Sequence, residues 1–445
     1  MPVEARHQTA IKLLLLVAVC LALTTGCARR GTVSGPLPQE IYVWQRVWNK
    51  QVEAALTKAG KSAAGFAALA AEIDLREGEP KIFRPNLEFA ALKASGRPIS
   101  LTIRIDPFSG PFNQNDRATE AIVRLARDVV ATAHEHDVDL AELQIDFDCG
   151  EWKLDGYRTW LRQIRATLAP LPVTPTILPS WLKHRAFAKL AHECGGFILQ
   201  VHSVALPQSV EDTRQLTDPA RAVEWVEQAA RVGVPFRVSL PTYSYLTAFD
   251  AAGKLCGISA EGPSARWPRE ARVVRWDAQP DAMANLLARW QHARPAMLRG
   301  VCWYRLPVAV DNLNWRWKTL EVVMQGRAPK RQLRVVASRS QTSEIVVVNE
   351  GEADESLPKT ISARWSEGKL IAADALEGYE LKDSVGKNML IFELNSSGEI
   401  LRLPPNGQHK IGWIRCEPST AIDVSFVGDS SRSAGLAAGV ARDRP

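Results

Sequence analysis

The chain has 445 residues, too many for one ordinary core, and its 46% hydrophobic and 23% charged content excludes a disordered protein. Two domains, or one large barrel with an addition, are therefore expected. The net charge of +6 arises from 55 basic and 49 acidic residues that are interspersed, with no basic run or basic helix face, so no nucleic-acid partner is expected.

At the N-terminus, Arg6 and Lys12 precede the apolar run LLLLVAVCLALTTG, Leu13 to Gly26. This run has the length of a signal peptide and falls short of the ~20 residues that a membrane-spanning helix needs. Cys27 follows it directly. The arrangement resembles a bacterial lipoprotein signal, in which small residues precede a cysteine that receives lipid. Thr25 and Gly26 fit that pattern, while Leu23 lies one position further from the cysteine than usual. The resemblance implies cleavage after residue 26, lipidation of Cys27 and a membrane partner reached through that lipid. Ala28, standing where an aspartate would retain a lipoprotein, implies an exported envelope protein of the outer membrane, facing the periplasm or the surface. The alternative is an ordinary signal peptide that releases a soluble protein. Residues 27–40 are expected to form the lipidated cysteine and a polar tether. Beyond the leader, Cys149, Cys194, Cys256, Cys302 and Cys416 are odd in number and show no metal spacing, so free thiols and no zinc site are expected.

From 41 to 326, apolar β-branched or aromatic runs alternate with helical stretches. The runs are 41–48, 65–75, 99–106, 142–148, 173–181, 196–203, 235–245 and 299–307. The helices between them include 116–136, 157–168, 218–233 and 281–293; the third opens on Asp218 and Pro219 and closes on Gly233. This order predicts the α/β class, as a (β/α)8 TIM-type barrel, with an open doubly wound sheet as the rival. The stretch 248–276 reads as a long insertion after strand seven that would overhang the active face. After a basic join at 326–332, the texture changes to alternating strands with no helix, predicting a small all-β, sandwich-like domain at 333–427. It is either a brace for the barrel or a carbohydrate-binding module. Residues 428–445 are expected to be a disordered tail.

The strand faces carry the functional argument. In LQIDFD, Leu143, Ile145 and Phe147 alternate with Gln144, Asp146 and Asp148. The apolar set must face the helices, so the polar set faces the barrel axis. Strand three repeats the pattern with Arg104 and Asp106 inward, strand six with Gln200 and His202, and strand seven with Arg237, Ser239 and Tyr243. Glu72, Trp44, Arg46, Trp303 and Arg305 are further lumen candidates. A purely structural barrel fills its axis with Val, Ile and Leu. Charges late in several strands point instead to a wet pocket at the C-terminal mouth, or to a buried ion network that serves stability alone.

QIDFD resembles the end of strand four in family-18 chitinases, whose pattern is D-x-x-D-x-D-x-E. Asp146 and Asp148 match its second and third aspartates, while Leu143 and Gly150 occupy the places of the first aspartate and the glutamate. QIDFD, LPSW at 178–181, QVH at 200–202, PTYSY at 241–245 and WYRLP at 303–307 resemble blocks of the bacterial exported family called domain of unknown function 3142, or DUF3142. That family is similar in outline to glycosidase barrels. The residues themselves suit action on a glycan or oligosaccharide, which needs paired carboxylates about the scissile bond. Asp148, nearer the mouth, is the expected acid/base, and Asp146, deeper, would tune it. Glu72 or Glu151 would supply another carboxylate. Trp44, Trp181, Tyr243 and Trp303 are candidates for stacking on sugar, with Arg104, Asp106, Gln200, His202 and Arg305 completing the binding set. A metal is not expected beside Arg104 and Arg305, and no cofactor motif is present. Loss of catalysis, leaving a glycan-binding or scaffolding lipoprotein, is the other reading, and Gly150 is its support.

Overall fold

The computed structural model describes residues 31–427, apart from 77–78, 205–206, 208, 213–214, 261–265, 383–387 and 396–400. The leader, Cys27 and the tail lie outside the described residues. Among the described residues, no helix is long and apolar enough to cross a membrane.

Eight parallel strands form the barrel: β1 Gln39–Val43, β2 Gly65–Asp74, β3 Ile99–Ile105, β4 Leu140–Phe147, β5 Val173–Ile177, β6 Phe197–Gln200, β7 Phe236–Pro241 and β8 Leu298–Tyr304. Strand β1 pairs with both β2 and β8, which closes the sheet and rules out the open alternative. Eight helices alternate with the strands: α1 Lys50–Ala59, α2 Phe89–Ala94, α3 Arg117–Glu135, α4 Leu154–Leu168, α5 Arg185–Cys194, α6 Pro219–Ala230, α7 Pro280–His292 and α8 Trp317–Met324. Local chemistry sets their starts. Asn49, Asp116 and Asp218 each accept hydrogen bonds from the orphan N–H groups of the helix that follows, and Pro219 occupies the first turn of α6, where its missing N–H costs nothing. The apolar faces of strands and helices meet in one large core, in which Leu101, Ile103, Leu143, Ile145 and Val238 are fully buried.

The expected tether is corrected in part. Thr32–Val33 pairs with Arg294–Pro295, and β1 begins at Gln39, so the chain joins the barrel soon after residue 31. Backbone donors and acceptors from 31 onward have partners in the fold, which a free tether would lack.

The insertion after β7 is a three-stranded antiparallel sheet, Ser244–Phe249, Leu255–Ser259 and Arg272–Asp277. The C-terminal region forms two four-stranded antiparallel sheets around a second core that includes Ile345, Val347, Ile361, Phe392 and Ile414. Ion pairs join this sandwich to the barrel: Arg402 to Asp277 at 2.6 Å and Arg331 to Asp281 at 2.5 Å.

Candidate active site at the barrel mouth

The lumen is layered because inward positions on parallel neighbours line up. At the N-terminal end Arg237 of β7 donates to Glu40 of β1 and Glu142 of β4, each at 2.5 Å. Glu142 also accepts from Gln144 at 2.7 Å and Thr174 at 2.6 Å. Above this layer, Tyr42, Ala67, Leu69, Ile198 and Cys302 make a small apolar plug.

At the C-terminal end, Arg104 of β3 is paired in register with Asp146 of β4. Its guanidinium donates to Asp146 Oδ2 and, at 3.2 Å, to Asp148 Oδ2. One arginine thus bridges two carboxylates on adjacent alternate positions. The Asp146 carboxylate beside it holds Arg104 above the ordinary arginine range, so it stays charged. Burial pushes the Asp146 carboxyl up to about 6, against the lowering field of Arg104 and with the like charge of Asp148 adding to the rise. Its Oδ1 is buried and has no hydrogen-bond partner among the described residues. Asp148, just past the strand, is about a third exposed.

Both carboxylates border a cavity of about 450 Å³. Trp44 and Tyr304 form one wall with their rings 5.1 Å apart, and Tyr42 meets both edge-on. Tyr304 also stacks on His202, with ring centroids 5.5 Å apart. Gln200, Ser239, Tyr243 and Thr176 line the far side, and Ala260 brings the inserted sheet to the rim. Ser203 also lines the cavity, with its backbone in the left-handed region (φ 50°) and its hydroxyl 2.5 Å from that of Tyr243.

Of the residues expected here, the structure brings together Trp44, Arg104, Asp146, Asp148, Gln200, His202 and Tyr243. The others fall elsewhere. Trp303 is fully buried in the helix-side core and donates to Gln39 at 2.9 Å. The inward face of β8 is Cys302 and Tyr304, so the expected parity of that strand was off by one. Trp181 is also fully buried, with its indole N–H on the Cys149 carbonyl at 3.0 Å, because strand β5 ends at Ile177 and the chain turns outward. Arg305 is buried beside the cavity, held by Asp311 at 2.5 Å. Asp106 sits at the rim 3.8 Å from Arg76.

The further carboxylates are likewise displaced. Glu72 does return to the lumen side, because a bulge between Leu69 and Ala71 turns both Ala70 and Ala71 to the core. It is then held by Arg46 through bonds of 2.7 and 3.1 Å, and Arg46, not Glu72, lines the cavity. Glu151 opens a short helical turn and lies 3.7 Å from His184, outside the cavity lining. His202 contacts no carboxylate among the described residues; its ring nitrogens lie 3.2 Å from Ser239 Oγ and 3.4 Å from Tyr243 Oη. Burial pushes its pKa down to about 3, so it is neutral at ordinary pH. Among the described residues, no three His, Cys, Asp or Glu side chains cluster as metal ligands.

The residues that the sequence reading passed over are Tyr42, Tyr304, Thr176, Ser203 and Ala260. Tyr42 shares its parity with Trp44 and was legible from that alternation. Tyr304 was hidden because both Trp303 and Tyr304 are aromatic, and only pairing with β1 and β7 sets the face.

Residues 95–309 match the family model described as domain of unknown function DUF3142, which agrees with the blocks read along strands four to eight. Residues 332–417 match a second model, domain of unknown function DUF8456. No curated protein matches the sequence. Among solved structures, the chain is similar to the spore cortex-lytic enzyme SleL of Bacillus megaterium, at 13% identity and a TM-score of 0.44, over 62% of this chain and 72% of that one. It is also similar to a chitinase of Chromobacterium violaceum, at 13% identity and a TM-score of 0.43, over 65% of this chain and 98% of that one.

Proposed function

We propose that this DUF3142-type barrel is an envelope protein that takes a glycan into its mouth cavity and hydrolyses it, with Asp148 as acid/base and Asp146 as the group that tunes it. One observation carries the reading: two carboxylates bridged by Arg104 border a cavity walled by aromatic rings. Trp44 and Tyr304 offer apolar faces against which a sugar ring can lie, and Gln200 and Tyr243 offer polar groups for its hydroxyls. Among the described residues Asp146 Oδ1 has no donor, and a ligand hydroxyl or amide N–H would supply one. Asp148, bonded to Arg104 through Oδ2, is about a third exposed and lines the cavity.

The balance of charge matters to the chemistry. The Asp146 carboxyl, raised to about 6 by its burial, can hold or release a proton beside the charged Arg104 that bridges it to Asp148. A general acid or base contributes about 10²–10⁴-fold to rate. With a glycan that the wild type cleaves, Asp148→Asn is expected to lower kcat by that factor while binding persists. Full turnover by Asp148→Asn, read by mass spectrometry of products, would remove Asp148 from the mechanism.

A second reading is a binding protein without cleavage, favoured by the placement of Glu72 and Glu151 outside the cavity lining. On this reading Gly150 is the missing acid. A Cβ there meets the Trp152 ring at 2.7 Å, yet Trp152 is 82% exposed and free to swing away. Cleavage gained by Gly150→Glu in a wild type that only binds would establish the second reading. The envelope anchor rests on the Cys27 signal, and palmitate labelling unchanged by Cys27→Ser would remove it.

A further inference from the structure

The opposite end of the barrel carries a second cavity, of about 410 Å³, lined in part by Arg231, Arg289, His292 and Arg294. It lies where α6 and α7 end and β8 begins, so it is on the N-terminal face, away from Asp146. Among the described residues, no acidic side chain pairs with Arg231, Arg289, Arg294 or the adjacent Arg299, and Glu227 is the one acid in the lining. Arg294 donates to the carbonyls of Gly35 at 2.6 Å and Trp290 at 3.2 Å, but its buried Nε has no partner among the described residues. Burial and the repulsion of Arg299 both press its pKa below the ordinary arginine range. Arg231, Arg289 and Arg299 are exposed, so this face presents clustered positive charge that favours an anionic partner.

The chain itself enters here. The carbonyl of Gly31 accepts from Ala296 at 2.9 Å, and Thr32–Val33 pairs with Arg294–Pro295. Cys27 is four residues before Gly31, which allows at most about 14 Å of extended chain. A lipid on Cys27 would therefore hold this face within about two Debye lengths of the bilayer.

We infer that the N-terminal face of the barrel, through Arg231, Arg289, Arg294 and Arg299, docks on the headgroups of anionic phospholipids and so turns the carboxylate mouth away from the membrane. The inference rests on the Cys27 anchor for its setting, but not on the glycan reading. Each basic side chain at an anionic surface contributes about fivefold to binding.

The test uses the processed chain carrying Cys27→Ser, which has neither the apolar leader nor a lipid. It should sediment with vesicles containing about 30% phosphatidylglycerol and not with phosphatidylcholine alone, and added salt should release it. Arg289→Glu with Arg299→Glu should weaken that binding by at least about tenfold. Arg124→Glu with Arg127→Glu, an equal charge change on the exposed side of α3, should leave it within about twofold. Thermal unfolding of both variants at the wild-type temperature keeps the comparison one of surfaces. Equal weakening by both pairs, equal binding to neutral vesicles, or no binding to anionic ones would overturn the inference. Displacement by inorganic phosphate at constant ionic strength would also overturn it, since that marks a site for a soluble anion. Palmitate labelling tests the anchor separately, so either part can fail alone.

Discussion

One lumen holds two clusters of an arginine with two carboxylates, and they differ in how fully they satisfy themselves. In the lower cluster Arg237 is bonded to Glu40 and Glu142, and Glu142 is bonded again to Gln144 and Thr174. In the upper cluster Arg104 bridges Asp146 and Asp148, but Asp146 Oδ1 has no partner among the described residues and Asp148 opens on a cavity. The lesson is that charge inside a barrel does not by itself mark chemistry. The mark is charge whose hydrogen-bonding capacity the protein leaves unfilled where a ligand can reach it.

The sharpest way to break this comparison is to remove each arginine. Arg237→Met leaves two carboxylates without their cation and is expected to cost about 3 kcal/mol, read as a lower urea midpoint at unchanged slope. Arg104→Met should cost about half as much, because cavity water can reach Asp148 and Asp146 can take a proton. Equal losses would mean that the two clusters are one kind of structure.

The pH dependence of stability sharpens it further. Below its ordinary value of 3.8, Asp146 is protonated in both folded and unfolded chains; between there and about 6 the unfolded chain has released the proton that the folded one still holds. Protons therefore favour the folded state, and stability falls as pH rises through that window and levels off above it. Relative to Asp146→Asn, which does not titrate, the wild type should lose about 2 kcal/mol between pH 4 and 7. A flat difference would mean that Arg104 fully offsets the burial of Asp146.

The smallest effect separates the two tryptophans. On the proposed reading, Trp44→Ala should weaken glycan binding by about fivefold, in line with about 1 kcal/mol for a ring contact. Trp303→Phe, which removes a hydrogen bond to Gln39 behind the sheet, should lower stability by about 1 kcal/mol and leave binding unchanged in calorimetry. The reverse result would mean that the assigned face of β8 is wrong.

The period of two along a strand is a property of the backbone, so the sequence by itself determined which residues share a face. Given the apolar sets in strands three, four, six and seven, it also determined that Arg104, Asp146, Gln200 and Ser239 look inward. Strand–helix alternation and the opening of a helix on Asp218 and Pro219 determined the α/β class in the same local way, while closure of the sheet through β1, β2 and β8 decided for the barrel. Only the tertiary structure decided what depended on neighbours: the bulge that returned Glu72 to the lumen and gave it to Arg46, the parity of β8, and the early end of β5 that buried Trp181. It also decided which of two similar ion clusters was left open, because a hydrogen bond between strands far apart in the chain has no signature in either segment alone.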